Sequence, residues 1–217
     1  MARRTKEEAL ETREQLLDAA ERVFRERGVG HASLAEVADA AGVTRGAVYH
    51  HFESKAELFQ ALMARAEMPI DTAFEDFQNQ DIADPLALFR QQGLQALLHL
   101  TSSTQIQNIF EVIYLRCEYT DELAAVGAQH VQDRLQCLGK CMAVLDQAVA
   151  KGQLPADTDT RLAAHGAFAF VGGLMRDWVE APDTFDLKAA APQLIDTYIA
   201  GLRANPPRRI AANEHLR

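Results

Sequence analysis

Residues Ser33 to Phe52 read SLAEVADAAGVTRGAVYHHF. Leu34, Val37, Ala38 and Ala41 recur at three- and four-residue spacing, so they share one helix face and leave Glu36 and Asp39 facing water. Ser33 followed by Glu36 is a capping box that opens this helix, and Gly42 can take the left-handed conformation that ends it. Thr44 then caps a second helix, Thr44-Arg-Gly-Ala-Val-Tyr-His-His51. Ala38 is small where two crossing helices approach, and Val43 and Val48 supply the apolar contacts that set their angle. The stretch predicts helix, tight turn, helix. With Ala47 and Val48 turned inward, Thr44, Arg45, Tyr49 and His50 are left outward, and a slim helix carrying those groups fits a DNA major groove. The competing reading is a solvated helix in a small bundle that recognises nothing. The agreement of apolar positions, glycine turn and polar outward set favours the first.

On either side the pattern stays helical. Met1 to Lys6 form a basic arm, and Thr5 with Glu8 has capping-box spacing. The stripe Leu10, Leu16, Leu17, Ala20, Val23 and Phe24 runs to Gly28, where Gly28-Val29-Gly30 stops it. That Gly-Val-Gly is no dinucleotide loop, since no strand precedes it and the third glycine is missing. Ser54 with Glu57 is another capping box, opening a helix expected to run through a kink at Pro69 to about Gln80. Further helices are predicted from Leu86 to Leu100, Ile106 to Glu118, Asp121 to Lys151 with Gly152 as its stop, Leu162 to Val179, and Asp186 to Ala204. The fold class is all-α, with about nine helices: a three-helix head over 1–53, a larger helical domain over 54–204, and a disordered tail over 205–217.

A chain of 217 residues, 48% of them hydrophobic, builds a core without staples. It has no apolar run of about 18 residues, and MARRTKEEALETR lacks the apolar core of a signal peptide, so a soluble cytoplasmic protein with no membrane partner is expected. Cys117, Cys137 and Cys141 are too few and too unevenly placed for a disulfide framework and read as reduced thiols. The net charge is −9, and residues 1 to 58 carry nine Lys and Arg against eleven Asp and Glu. A DNA reader with this balance makes its phosphate contacts through a few placed groups and helix starts, which predicts a modest salt dependence of binding.

The arm ARRTKEEALETR, the helix end FRERG and SLAEVADAAGVTRGAVYHHFESKAELF resemble the TetR family of bacterial repressors. Within it the chain is most similar to the AcrR-like and TtgR-like regulators of multidrug efflux pump operons, whose RRTKEEA arm and CE(F/Y)TD segment, here Cys117 to Asp121, recur. The resemblance implies a three-helix DNA-binding head, a six-helix ligand domain and a homodimer joined through the last two helices. It implies base contacts by Thr44, Arg45, Tyr49 and His50, with Gly46 beside them at the DNA, although many relatives have Trp where His50 stands. Phosphate contacts would come from Arg3, Arg4, Lys6, Ser33, Tyr49, His51 and Lys55. Two heads on a two-fold axis would read a near-palindromic double-stranded operator with summed contacts. Ala163, Ala167, Phe170 and Leu174 on one helix and Leu194, Ile195, Tyr198 and Leu202 on the next are the interface candidates. The alternative is that both helices are buried inside one subunit.

No catalytic constellation appears: His99, His130 and His165 lie far apart, and no nucleophile-elbow, Walker or zincin spacing is present. Cys137 and Cys141, four apart on one helix, could present thiolates to a metal, but small core cysteines are the commoner case. Neither a cofactor nor a metal is implied. The resemblance places Phe59, Met63, Phe77, Phe89, Phe110, Ile113, Tyr114, Cys137, Phe168, Val171, Gly172 and Arg176 around a central cavity for a hydrophobic small-molecule inducer. Phe110, Tyr114 and Gly172 stand where TtgR-like relatives carry polar pocket groups, which implies a drier pocket or a different ligand. The resulting expectation is a dimeric repressor released from its operator by that inducer, through the helix that starts at Ser54. A helical ligand-binding or scaffold protein whose head contacts protein is the other class, and repressor versus activator stays open.

Overall fold

The computed structural model describes residues 6–66, 81–119 and 121–209. Among them are nine α-helices and one 3-10 turn, with no strand beyond a single isolated bridge. The helices are α1 (Lys6–Arg27), α2 (Leu34–Ala41), α3 (Arg45–His51), α4 (Lys55–Ala64), α5 (Pro85–Leu100), α6 (Thr104–Leu115), α7 (Ala124–Ala150), α8 (Thr160–Glu180) and α9 (Leu187–Ala204). The all-α expectation holds. No helix is long and apolar enough to cross a membrane among the described residues.

The described chain divides into two compact units: residues up to 66 with 103–131, and residues 81–102 with those from 132 onward. In the first, α1 buries Leu16, Leu17, Ala19, Ala20, Val23 and Phe24, and packs on α2, α4 and α6. Phe24 meets Phe59 edge-on at 6.0 Å between ring centroids, an arrangement that contributes about 1 kcal/mol beyond the burial itself. Polar ties join α1 to α6: Asn108 donates to Glu21 at 2.6 Å, and Arg25 donates to Glu111 at 2.9 Å. Arg65 pairs with Glu14 and Asp18 of α1.

In the second unit α5 packs between α8 and α9. Gly93 permits this approach, because a Cβ there would stand 3.2 Å from the Ile195 side chain. Arg90 grips Asp196 through two hydrogen bonds, which holds the Asp196 carboxyl below the usual carboxylate range and raises the guanidinium. Gln153 fixes the start of α5, accepting from the Leu86 amide at 3.0 Å and donating to the Asp84 cap at 2.8 Å.

Local chemistry decides the helix ends. Ser54 accepts from the Glu57 amide as expected, but Glu57 reaches back to the Glu53 amide at 2.6 Å, one residue before the partner a capping box requires. The helix expected to continue from Ser54 past Pro69 ends at Ala64, where the amides of Arg65 and Ala66 turn to the carbonyls of Leu62 and Met63. The rest of that expectation, with Thr5, Pro69 and Phe77, lies outside the described residues. Gly152 ends α7 at φ 72°, as its position predicts.

Residues 205–209, expected as part of a disordered tail, are instead held in place. The Asp159 amide donates to Pro207 at 2.8 Å and the Arg209 amide to Asp157 at 2.9 Å, with Arg208 paired to Asp157 and Pro206 buried. Backbone hydrogen bonds carry this segment where its own composition offers no periodicity.

Candidate nucleic-acid interface

The motif forms as its caps dictate. Ser33 Oγ accepts from the Glu36 amide at 3.2 Å, and Glu36 accepts from the Ser33 amide at 2.9 Å and from its hydroxyl at 2.8 Å. These bonds hold the Glu36 carboxyl below its ordinary value. Leu34, Val37 and Ala38 turn inward, and Gly42 closes α2 at φ 68°. Arg22 donates to the Ala40 carbonyl at 3.1 Å, satisfying the helix end with a cation where the dipole favours one. Thr44 Oγ1 then accepts from the Ala47 amide at 3.2 Å and starts α3.

On α3 only Val48 is fully buried, while Ala47 is half-buried. Thr44, Arg45, Gly46, Tyr49 and His50 are exposed, with Tyr49 showing 48% of its surface. The Arg45 guanidinium lies over the Tyr49 ring, 5.8 Å from its centroid. His50 and His51 meet edge-on at 5.3 Å, with His51 half-buried. The α3 residues expected to read bases therefore share one accessible helix, and their donors match base edges in a major groove.

The phosphate set is thinner than expected. Arg3 and Arg4 lie outside the described residues, and Lys6 is exposed. Ser33 commits its proton to Glu36. Arg13 sits over Phe52 at 5.1 Å, Arg22 and Arg25 bind Ala40 and Glu111, and Arg27 pairs with Glu36 at 3.1 Å. Lys55, expected at a phosphate, is 6% exposed and bound to Gly30, Ala32 and Glu122 inside the fold. Burial removes it from the set.

The expected inducer residues fall in both units. Phe59 is fully buried in the first unit. Phe110 stacks on Tyr114 at 5.7 Å in the first unit, where Met63 and Ile113 are half-buried. In the second unit Phe89 and Cys137 are buried, Phe168, Val171 and Gly172 are half-buried, and Arg176, expected as the charge inside a pocket, is exposed. A hydrogen bond to Cys137, and then burial, push the Cys141 thiol far up, and burial raises Cys117 to about 11, so Cys141 and Cys117 stay protonated. An open groove of about 630 Å³ lies between α5 and α9, bordered by Leu86, Arg90, Asp196, Ile199 and Arg203. None of the expected inducer residues borders it.

Among the interface candidates, Ala163, Ala167, Ile195 and Leu202 are buried within the single chain, while Phe170, Leu174, Leu194 and Tyr198 are half-buried. Tyr198 stacks on Phe170 at 5.0 Å and donates to the Ala163 carbonyl at 3.1 Å. The first four thus belong to the subunit's own packing. What α8 leaves open is a different stripe: Leu162, Gly166, Ala169 and Gly173. The small residues signalled close packing, but their period could not tell which side met the same chain.

Comparison with known proteins places the chain in a family. Residues 16–62 match the model described as bacterial regulatory proteins, tetR family, and residues 84–204 that of the MAATS-type transcriptional repressor, C-terminal region. The chain is 41% identical over 209 residues to the HTH-type transcriptional regulator TtgR of Pseudomonas putida, covering 96% of this chain and 100% of that protein. Among solved structures it is similar to NalD, the secondary repressor of the MexAB-OprM multidrug efflux pump in Pseudomonas aeruginosa, with a TM-score of 0.81 at 32% identity over 90% of this chain and 98% of that one. A SmeT–triclosan complex matches with a TM-score of 0.74 at 28% identity, covering 88% and 90%.

Proposed function

Because the chain belongs to the TetR family of bacterial regulatory proteins, whose members are transcriptional regulators and not enzymes, we propose that it is a ligand-responsive repressor of a multidrug efflux operon. The observation that carries the reading is α3, which stands on buried Val48 and offers Arg45, Tyr49 and His50 to a major groove. The chain acts as a homodimer in the cytoplasm, two copies presenting α3 about 34 Å apart to successive grooves of a near-palindromic operator. The open stripe of α8, with Leu162 43% exposed beside Gly166, Ala169 and Gly173, is the face we assign to the partner copy.

A hydrophobic small molecule that favours another spacing of the heads lowers operator affinity. The similarity to a repressor solved with triclosan supports that ligand class, and the similarity to repressors of efflux pumps supports the operon. Titrating the DNA upstream of the chain's own gene tests the reading. Sequence-specific binding that weakens on adding triclosan-like compounds is expected, and no specific binding at low salt would refute it.

A further inference from the structure

Lys55 is the first residue of α4, where the family resemblance implies a contact to a DNA phosphate. Its ammonium instead points into the fold. An ammonium has three N–H donors, and all three are used: the carbonyls of Gly30 and Ala32, each at 2.9 Å, and the Glu122 carboxylate at 2.6 Å. None is left for a phosphate. Turning Lys55 outward would strip two carbonyls of their charged donor, which makes the buried position self-consistent.

The two carbonyls lie in the linker between α1 and α2, and Ala32 directly precedes Ser33, whose cap starts α2. The same linker is held a third time where the Val29 amide donates to the Arg116 carbonyl at 2.8 Å. Arg116 and Glu122 flank Cys117 to Tyr119, so one short segment after α6 touches the linker directly and through Lys55. We propose that Lys55 is a positioning residue for operator binding: it sets α2, and with it α3, from inside the fold, while Glu122 supplies the charge that keeps the ammonium there. This rests on the reading of the chain as an operator-binding regulator.

The test uses the full chain, with operator titrations between about 50 and 200 mM salt and amide exchange on the DNA-free protein. Glu122→Ala should weaken operator binding about threefold. It removes a negative charge, so a field effect alone would strengthen binding. Glu122→Gln, which keeps an acceptor oxygen, should recover part of that loss at the same Tm. Lys55→Met should weaken binding about thirtyfold with the salt slope unchanged, whereas loss of a phosphate contact would lower the slope by about one. In the free protein, exchange over residues 29–37 should accelerate in Glu122→Ala while α5 is unaffected.

A slope lowered by about one in Lys55→Met, unchanged or tighter operator binding in Glu122→Ala, or unchanged exchange over residues 29–37 would each overturn the proposal. Should Lys55→Met not fold, Glu122→Ala decides alone, because that side chain is 55% exposed. Should the wild type bind no operator, the regulator reading fails on its own terms, and the exchange result still decides whether Lys55 holds the linker.

Discussion

Tyr119 packs directly onto the bare backbone of Gly127: a Cβ at position 127 would stand 2.6 Å from the tyrosine's Cβ and 2.9 Å from its Cγ. The ring also stacks on His130 at 6.0 Å and leans toward Phe59 at 6.4 Å, so it has nowhere to retreat. Gly127→Ala should therefore cost about 1–3 kcal/mol by overpacking. Thermal unfolding would show this as a lower Tm, and an unchanged Tm would mean that the ring moves freely.

Burial pushes the Tyr119 phenol up to about 12, and its hydroxyl has no hydrogen-bond partner among the described residues. A group whose folded value is raised favours the native state below its unfolded value and loses that contribution as pH rises through the folded one. Stability should fall from about pH 10 to 12, and Tyr119→Phe should flatten that decline. Tyrosinate absorbance during an alkaline titration checks it.

Ser33 and Glu36 act in the opposite direction. The carboxyl of Glu36 is held low first by the Ser33 hydroxyl and then by its amide, so its contribution is complete at neutral pH and disappears as the solution is acidified through the folded value. Ser33→Ala should lower Tm at pH 7 and do so less at pH 3, where about half or more of the unfolded state's carboxylates are already protonated. Equal losses at both pH values would exclude the coupling.

Arg45 and Tyr49 make the sharpest test of the interface. Both are exposed and contribute nothing to the core, so Arg45→Ala and Tyr49→Ala should leave the unfolding free energy within about 0.5 kcal/mol of wild type. Operator affinity should fall about tenfold to a hundredfold for a lost base contact. Fluorescence anisotropy with a labelled operator measures this, and a matching loss on random DNA would reassign Arg45 to phosphate.

The α2–turn–α3 motif was legible because Ser33, Gly42 and Thr44 each answer a need of their own few neighbours: a cap, a positive φ, another cap. Lys55 was not, because its partners stand 23 and 25 residues before it and in a segment far beyond α4. Composition shows a lysine beside a helix start and says nothing of which way it points. The same limit applies to α8, whose small residues predicted close approach, while burial assigns Ala163 and Ala167 to the subunit and leaves Gly166 and Gly173 open. The segment 205–209 was illegible for a different reason, since main-chain bonds that leave no mark in the sequence hold it together with the distant Arg208–Asp157 pair.

The isolated bridge between Thr158 and Arg208 brings the chain back to where it left for α8. With the bonds of Asp159 and Arg209 beside it, α8 and α9 become a stem-and-loop whose two feet share one point of attachment. Shortening the chain by the few residues of 205–209 would therefore untie the start of α8 as well as the end of α9, although the two ends lie some fifty positions apart in sequence.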